Sequence, residues 1–207
     1  MFARSTTVRA ATPESVDAGI VHIRDNVLPE MMQIDGWVGM SMMTDRESGD
    51  CIVTSSWESE AAMQGSRKLI EPIRARAVDV MGGTADFDEW EVAVMHRDHP
   101  THEGAAVRAA WLQTDPANIS DLITTFRDFA LPQLEQLDGF CSASFLVNRA
   151  TGAAVSSTCC ESRAALASNR QQAASVRDAG TRQAGATVLR VGEYDLSVAH
   201  LRVPELV

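Results

Sequence analysis

Two histidines, His96 and His200, occupy equivalent places in two similar segments and are the side chains best suited to acid–base chemistry. An unperturbed imidazole titrates near neutrality, so either could act as a general base toward an acidic phenol or carbon. Each lies six residues after an aromatic residue, Trp90 or Tyr194, so the two would share one face of a strand. The alternative is a strand-end histidine bonded only to backbone or water, because the sequence identifies no partner carboxylate. We take His96 and His200 as the catalytic candidates.

Aromatic side chains are the next candidates, because a planar substrate could stack on them. Trp37, Trp57, Trp90 and Tyr194 are the expected substrate-binding residues of this type. The alternative is that they supply buried core area, as aromatic residues in strands usually do. If only one half of the chain holds a pocket, the tryptophans favour the first half.

A metal site is suggested at first by His96, His99 and His102, which are spaced three residues apart. That spacing aligns side chains only on a helix, and Pro100 would interrupt one. We therefore expect no metal, and interpret residues 97–105 as a polar linker.

The four cysteines, Cys51, Cys141, Cys159 and Cys160, form no CxxC pair, and two are adjacent, which is poor geometry for a disulfide. We expect them to be reduced and structural. The sequence also has no apolar run typical of a signal peptide or a membrane span. These patterns predict a cytoplasmic protein with no membrane partner.

Composition excludes several classes of function. The 207 residues carry 18 Lys and Arg against 28 Asp and Glu, a net charge of −10. Nucleic-acid binding needs clustered cations, so no nucleic-acid partner is expected. The chain has no glycine-rich phosphate loop, GxSxG turn or recognisable carboxylate pair, so a nucleotide-dependent enzyme is not indicated. We expect no cofactor.

The chain repeats itself with an offset of 103 residues. From Arg24 to Arg67, 15 of 44 positions are identical to their counterparts without a gap. Near the end of each half the offset becomes 104, which aligns Glu89 with Glu193. We predict two repeats, residues 1–96 and 106–207.

Each half has the pattern β-α-β-β-α-β. Apolar residues spaced by three or four follow Thr12-Pro13 and Asp115-Pro116, which predicts a helix start at each. Gly-containing turns between alternating segments predict hairpins, and further helices should begin after Ser59 and Ser162. Prolines 29 and 132 are expected to kink or divide the first helix of each half, and Pro72 to interrupt the second helix of the first half. The predicted fold is α+β, with two tandem ferredoxin-like repeats.

The run from Cys51 to Met63, with Trp57-Glu58-Ser59 at its centre, resembles the antibiotic biosynthesis monooxygenase (ABM) family of dimeric α+β barrels. The Asp35-Gly36-Trp37 step resembles the Pro-Gly-Phe step of that family. Since the family domain has about 100 residues, the resemblance implies an intramolecular dimeric α+β barrel. Each repeat would then supply the partner that a homodimer obtains from a second chain, and further oligomerisation is left open.

The resemblance also bears on haem, because some family members degrade it. Their second tryptophan corresponds to Ser66 here, and their haem-ligating histidine falls near Arg74 or Ala75. Without an axial ligand, haem degradation is disfavoured. Ser66 and Arg74 are instead added to the expected substrate-binding residues.

The function implied by the resemblance is a cofactor-free monooxygenase acting on a small apolar or aromatic molecule. In that route a substrate carbanion reduces dioxygen directly. The alternative is a non-catalytic module that binds a small molecule or a partner protein.

Overall fold

The computed structural model describes residues 1–101 and 104–207. His102, considered above as a metal ligand, and Glu103, which belongs with it to the predicted linker, lie outside the described residues. The first half contains β1 Phe2–Arg9, α1 Pro13–His22, a π-helical turn Ile23–Val27, α2 Leu28–Met31, β2 Trp37–Thr44, β3 Asp50–Trp57, α3 Glu60–Gly65, α4 Arg67–Met81 and β4 Thr84–Arg97. The second half contains β5 Ala106–Gln113, a 3-10 turn Pro116–Asn118, α5 Ile119–Thr125, a π-helical turn Phe126–Ala130, α6 Leu131–Leu134, β6 Phe140–Asn148, β7 Ala153–Cys160, α7 Arg163–Ser168, α8 Arg170–Gln183 and β8 Thr187–His200.

The strands are hydrogen-bonded in the order β1-β3-β2-β8-β5-β7-β6-β4, which closes as a barrel. This confirms the predicted α+β fold with two tandem βαββαβ repeats. By contacts, the chain divides into a first unit, Met1–Trp90 with Leu196–Val203, and a second unit, Glu91–Asp195 with Pro204–Val207. The repeat boundaries at residues 96 and 106 stay a prediction, because these units are defined by contacts and not by sequence similarity.

In the first unit, local signals form the elements as predicted. Thr12 caps α1 by accepting from the Ser15 backbone N–H, and Ser59 caps α3 in the same way from Ala62. Gly36 ends the first helical segment with a φ of +76°. Strands β2 and β3 then pair antiparallel, and apolar side chains from helices and sheet form one core.

The second unit uses the same devices. Asp115 caps the 3-10 turn that precedes α5, and Ser162 caps α7. Gly139 ends the first helical segment with a φ of +70°. Strands β6 and β7 pair antiparallel, with an irregularity between Phe140 and Ser142.

Proline has a different effect in the first helical segment of each half than in α4. Pro29 and Pro132 each follow a five-residue π-helical turn, so the helix changes its winding and continues. Proline has no N–H for the usual helical bond, and a π turn is one way to accommodate that loss. The interruption predicted at Pro72 is wrong in place: α4 runs through Pro72, and the break lies at Ser66, between α3 and α4.

Within the described ranges, no helix is both long and apolar enough to cross a membrane.

Candidate ligand cavities

A buried arginine organises the first unit. The side chain of Arg4 is 2% exposed, and its Nε and Nη2 donate to one carboxylate oxygen of Glu89 at 3.0 and 2.6 Å. Its Nη1 donates to the Ser66 hydroxyl at 3.3 Å, and its Nη2 also donates to the Met63 carbonyl at 2.8 Å. Arg67 donates to the other oxygen of Glu89 at 2.6 Å. The break between α3 and α4 therefore lies at Ser66, where these two helices are hydrogen-bonded to Arg4.

The carboxylate of Glu89 is strongly stabilised in its charged form. Burial by itself would raise the pKa of Glu89, but hydrogen bonds from Arg67, Arg4 and Gln64 lower that pKa to about 2. Charge-assisted bonds of this kind are among the stronger polar interactions in proteins. Glu89 is therefore an anion at any pH at which the protein would function.

The second unit contains the same network. Arg108 donates to Glu193 from Nε at 3.0 Å and from Nη2 at 2.9 Å. Asn169 takes the place of Ser66 and accepts from Nη1 of Arg108 at 3.0 Å, and the Leu166 carbonyl accepts from Nη2. Arg170 donates to Glu193 at 2.6 Å. Burial would raise the pKa of Glu193, but the bonds from the two arginines hold it below its usual value.

Sequence reasoning missed these networks, although the repeat held their signal. Arg67 and Glu89 are identical to Arg170 and Glu193 at offsets of 103 and 104 residues. Arg4 likewise recurs as Arg108. A charged residue retained in both copies at a strand position indicates a buried partner, because an unpaired buried charge is costly.

A cavity of about 50 Å³ lies beside Arg4 in the first unit, between the helices and the sheet. The π-helical turn contributes to its wall, and three methionines, Met31, Met40 and Met81, line it. The half-buried side chain of Arg74 also lines the cavity, and its guanidinium lies 4.5 Å from the ring centre of Phe87. No acidic residue or histidine is among the described residues that line this cavity.

A cavity of about 60 Å³ occupies the equivalent place in the second unit. Phe126 of the π-helical turn and Phe145 of β6 stack with ring centroids 4.5 Å apart in its wall. Arg108 and Arg177 line it, as Arg4 and Arg74 line the first cavity. Here too, none of the lining residues within the described ranges is acidic. The repeats therefore keep an arginine-bearing cavity at the same position with different apolar walls.

The predicted aromatic residues lie in the protein core and outside the walls described for the two cavities. Trp57 is fully buried and donates from Nε1 to the Ser55 hydroxyl at 3.1 Å. Trp90 donates to the Ser5 hydroxyl at 2.8 Å. Tyr194 is buried and meets Trp111 edge to face, with ring centroids 6.3 Å apart.

Ser66 and Arg74 have different surroundings. The Ser66 hydroxyl accepts from Arg4 and donates to the Met63 carbonyl at 2.7 Å. It also borders an open groove of about 680 Å³, to which Leu69 contributes. Arg74 is the predicted site residue that the structure does place in the wall of the cavity between helices and sheet.

The two candidate histidines are not equivalent in the structure. Nε2 of His96 is 2.9 Å from a Glu135 carboxylate oxygen, and Nδ1 contacts the carboxylate of Glu205. His200 stacks on Trp37, with ring centroids 5.4 Å apart. Neither histidine is among the residues described as lining the two cavities. The structure thus supplies carboxylate partners for His96 that the sequence did not identify.

Metal-ligating and thiol side chains form no further site among the described residues. In the described part of the chain, no group of three or more His, Cys, Asp or Glu residues could hold a metal ion. The four cysteines are buried and unpaired, as predicted. Burial raises the pKa of Cys51 and of Cys141 to about 11, so these thiols are poor nucleophiles near neutrality.

The fold is that of ABM-like ferredoxin-fold proteins, and solved structures share it over nearly the whole chain. An anthrone oxidase-like protein matches with a TM-score of 0.69 and 14% identity, over 99% of this chain and 93% of that one. An uncharacterised ferredoxin-fold protein of Listeria monocytogenes, related to antibiotic biosynthesis monooxygenases, matches with a TM-score of 0.54 and 8% identity, over 95% of each chain.

The chain belongs to the family of the Mycobacterium tuberculosis protein named "Uncharacterized protein Rv2558". The two are 50% identical over 208 residues, which is 100% of this chain and 88% of that protein. No family profile matches the chain.

Proposed function

We propose that this protein binds a small apolar molecule in the cavity between helices and sheet. The observation that carries the proposal is that both repeats keep a cavity at the same place. The cavities, of about 60 and 50 Å³, are lined by residues at equivalent positions of the two repeats. Apolar side chains of different shapes surround the two cavities, yet neither set fills the space. A shared ligand-binding role accounts for this better than two independent packing defects.

The cavity must open for a ligand of any size. A cavity of about 150 Å³ is known to accommodate benzene, which is well above either volume here. The walls contain two elements that can yield: the π-helical turns, which are frequent at functional sites, and the flexible methionines of the first unit. We therefore expect ligand binding to change the packing of these elements.

Filling the cavity tests the proposal. Ala77 lines the cavity of the first unit, so Ala77→Leu should fill it and abolish the binding of a probe such as toluene. Binding is followed by NMR of methyl-labelled methionine on the intact protein. Ala61→Leu, at an exposed position of α3, is the matched control and should bind like the wild type. Unchanged toluene binding by Ala77→Leu would contradict the proposed site.

A second candidate is the cofactor-independent monooxygenase implied by the ABM resemblance. The position of His96 between two carboxylates favours it, because Glu135 and Glu205 hold the ring in a fixed orientation. His96 takes a proton from a substrate only after one of these carboxylates releases its ring nitrogen. A substrate carbanion would reduce dioxygen, with one oxygen atom entering the substrate and the other leaving as water. His200 is the second proposed base, and Trp37, Trp57, Trp90 and Tyr194 are proposed to bind the substrate. A cytoplasmic location remains part of this proposal.

Oxygen uptake with an anthrone as substrate tests the second candidate. We expect His96→Ala to lose most of the activity, and His99→Ala, at a neighbouring surface histidine, to retain it. Equal rates for the wild type and His96→Ala would overturn the assignment of His96 as a base. No uptake by the wild type would leave small-molecule binding as the function.

A further inference from the structure

We infer that the ligand of the first unit is an apolar molecule with one negatively charged end, a monocarboxylate by chemical class, and that Arg74 binds this end. This inference rests on the proposed function, since it specifies which molecules the cavity selects. The arginines that line the two cavities differ in whether a carboxylate is bound to them.

Arg74 is a cavity-lining cation without a carboxylate partner among the described residues. Its guanidinium lies over the ring of Phe87 at 4.5 Å from the centroid. Arg4, at the same cavity, is bound to Glu89, and Arg177 of the second unit contacts Asp178 at 2.8 Å. A guanidinium stacked on a ring keeps its N–H groups for an in-plane acceptor. Arg74 is therefore free to bind an anion, whereas Arg4 is not.

The charge around the cavity has the sign that this assignment requires. The described lining residues include two arginines and no acid. The cluster of Arg4, Glu89 and Arg67, in which Arg4 lines the cavity, carries two positive charges and one negative charge. The net charge of this cluster is +1, so the cluster does not cancel the positive charge of Arg74. In a chain with a net charge of −10, a cavity lined by two arginines and no acid is a specific feature and not a reflection of composition.

The rest of the wall suits an apolar tail. Met31, Met40 and Met81 can change rotamer at low cost and so adapt to a chain or to a single ring. At the equivalent positions the second repeat has Leu134, Ala143 and Ala184. Adaptable walls with one charged anchor are typical of sites that orient an amphipathic small molecule.

The experiment compares hexanoate with 1-hexanol, which has the same chain length and no charge. Binding to the intact protein is followed through the methyl signals of the three lining methionines, with the exposed Met32 as an internal reference. Hexanoate should bind at least about tenfold more tightly than hexanol, because a charge-assisted hydrogen bond to a guanidinium is stronger than one from a neutral hydroxyl. Arg74→Gln should remove that advantage, so that hexanoate no longer binds more tightly than hexanol.

Arg76→Gln is the matched control, because Arg76 is two residues away, pairs with Glu30 and is absent from the described cavity lining. It should retain the preference for hexanoate. Equal binding of the two probes, or a preference that survives Arg74→Gln, would overturn the charged-ligand inference while the proposed function stands. A failure of both probes to move the lining methionine signals would overturn the proposed function and, with it, this inference.

Discussion

Arg4 and Glu89 are separated by 85 positions in the chain, yet two nitrogen atoms of the arginine donate to the same oxygen of the glutamate. The arginine is almost completely buried, and 17% of the glutamate side chain is exposed. The pair connects the first strand of the unit to β4, and Ser66 and Arg67 connect it to the second helix. Since Arg108 and Glu193 make the same pair in the second unit, the network is a repeated structural element beside each cavity.

Removing the charge of Glu89 should destabilise the protein. Glu89→Gln leaves Arg4 buried with a weaker partner, and breaking a buried ion pair costs about 3–5 kcal/mol. Because Glu89 is partly exposed, we expect about 3 kcal/mol, measured by urea denaturation at neutral pH. Glu91→Gln breaks a more exposed pair with Arg149 and should cost less than about 1 kcal/mol. Similar losses in the two variants would contradict a special role for Glu89.

The stability of the protein should depend on pH through the same carboxylate. The pKa of Glu89 is about 2 in the folded protein, below its ordinary value of 4.5. Its contribution is therefore fully present above about pH 4.5 and is lost as the pH falls toward 2. The difference in denaturation midpoint between the wild type and Glu89→Gln should shrink between pH 6 and pH 3. A difference that stays constant over this range would show that the charge of Glu89 is not what stabilises the fold.

Gly139 should be sensitive to substitution for two separate reasons. It has a φ of +70°, and an added Cβ would lie 2.7 Å from the Cβ of Ala165. Gly139→Ala should therefore cost about 2–3 kcal/mol, the sum of backbone strain and displaced packing. Gly185→Ala is the control, because Gly185 has a φ of +62° with open space around it, and it should cost only about 1 kcal/mol of strain. Thermal denaturation of both variants measures the difference, and equal losses would exclude the packing contribution.

The cysteines should be unreactive in the folded protein. All four are buried, and burial raises the pKa of Cys159 further than that of Cys51 or Cys141. Because the thiolate is the reactive form, treatment with a maleimide near pH 7.5 should give no adduct by intact mass. Unfolding in denaturant should expose all four thiols to labelling. Fast labelling of the folded protein would show that these side chains are reached by local opening.

Much of the fold could be predicted because its signals are local. Thr12-Pro13 and Ser59 start helices through side-chain caps, and Gly36 stops one through its positive φ, each within a few residues. Pro72 failed as a predictor of a break because a proline can be accommodated inside a helix. The actual break is set by Ser66, whose hydroxyl bonds a carbonyl of its own helix and a distant arginine.

The sequence by itself determined that the chain is a duplication of one βαββαβ unit, because the two copies retain the same turns, caps and apolar spacing. Through the family resemblance it also predicted Arg74 as one of several substrate-binding residues, and that role stays a prediction. Only the tertiary structure decided that Arg4 and Arg108 are buried against Glu89 and Glu193, and that His96 lies between two carboxylates. The physical reason is that burial and ion pairing depend on contacts between residues far apart in the chain, and periodicity carries no information about which of them meet.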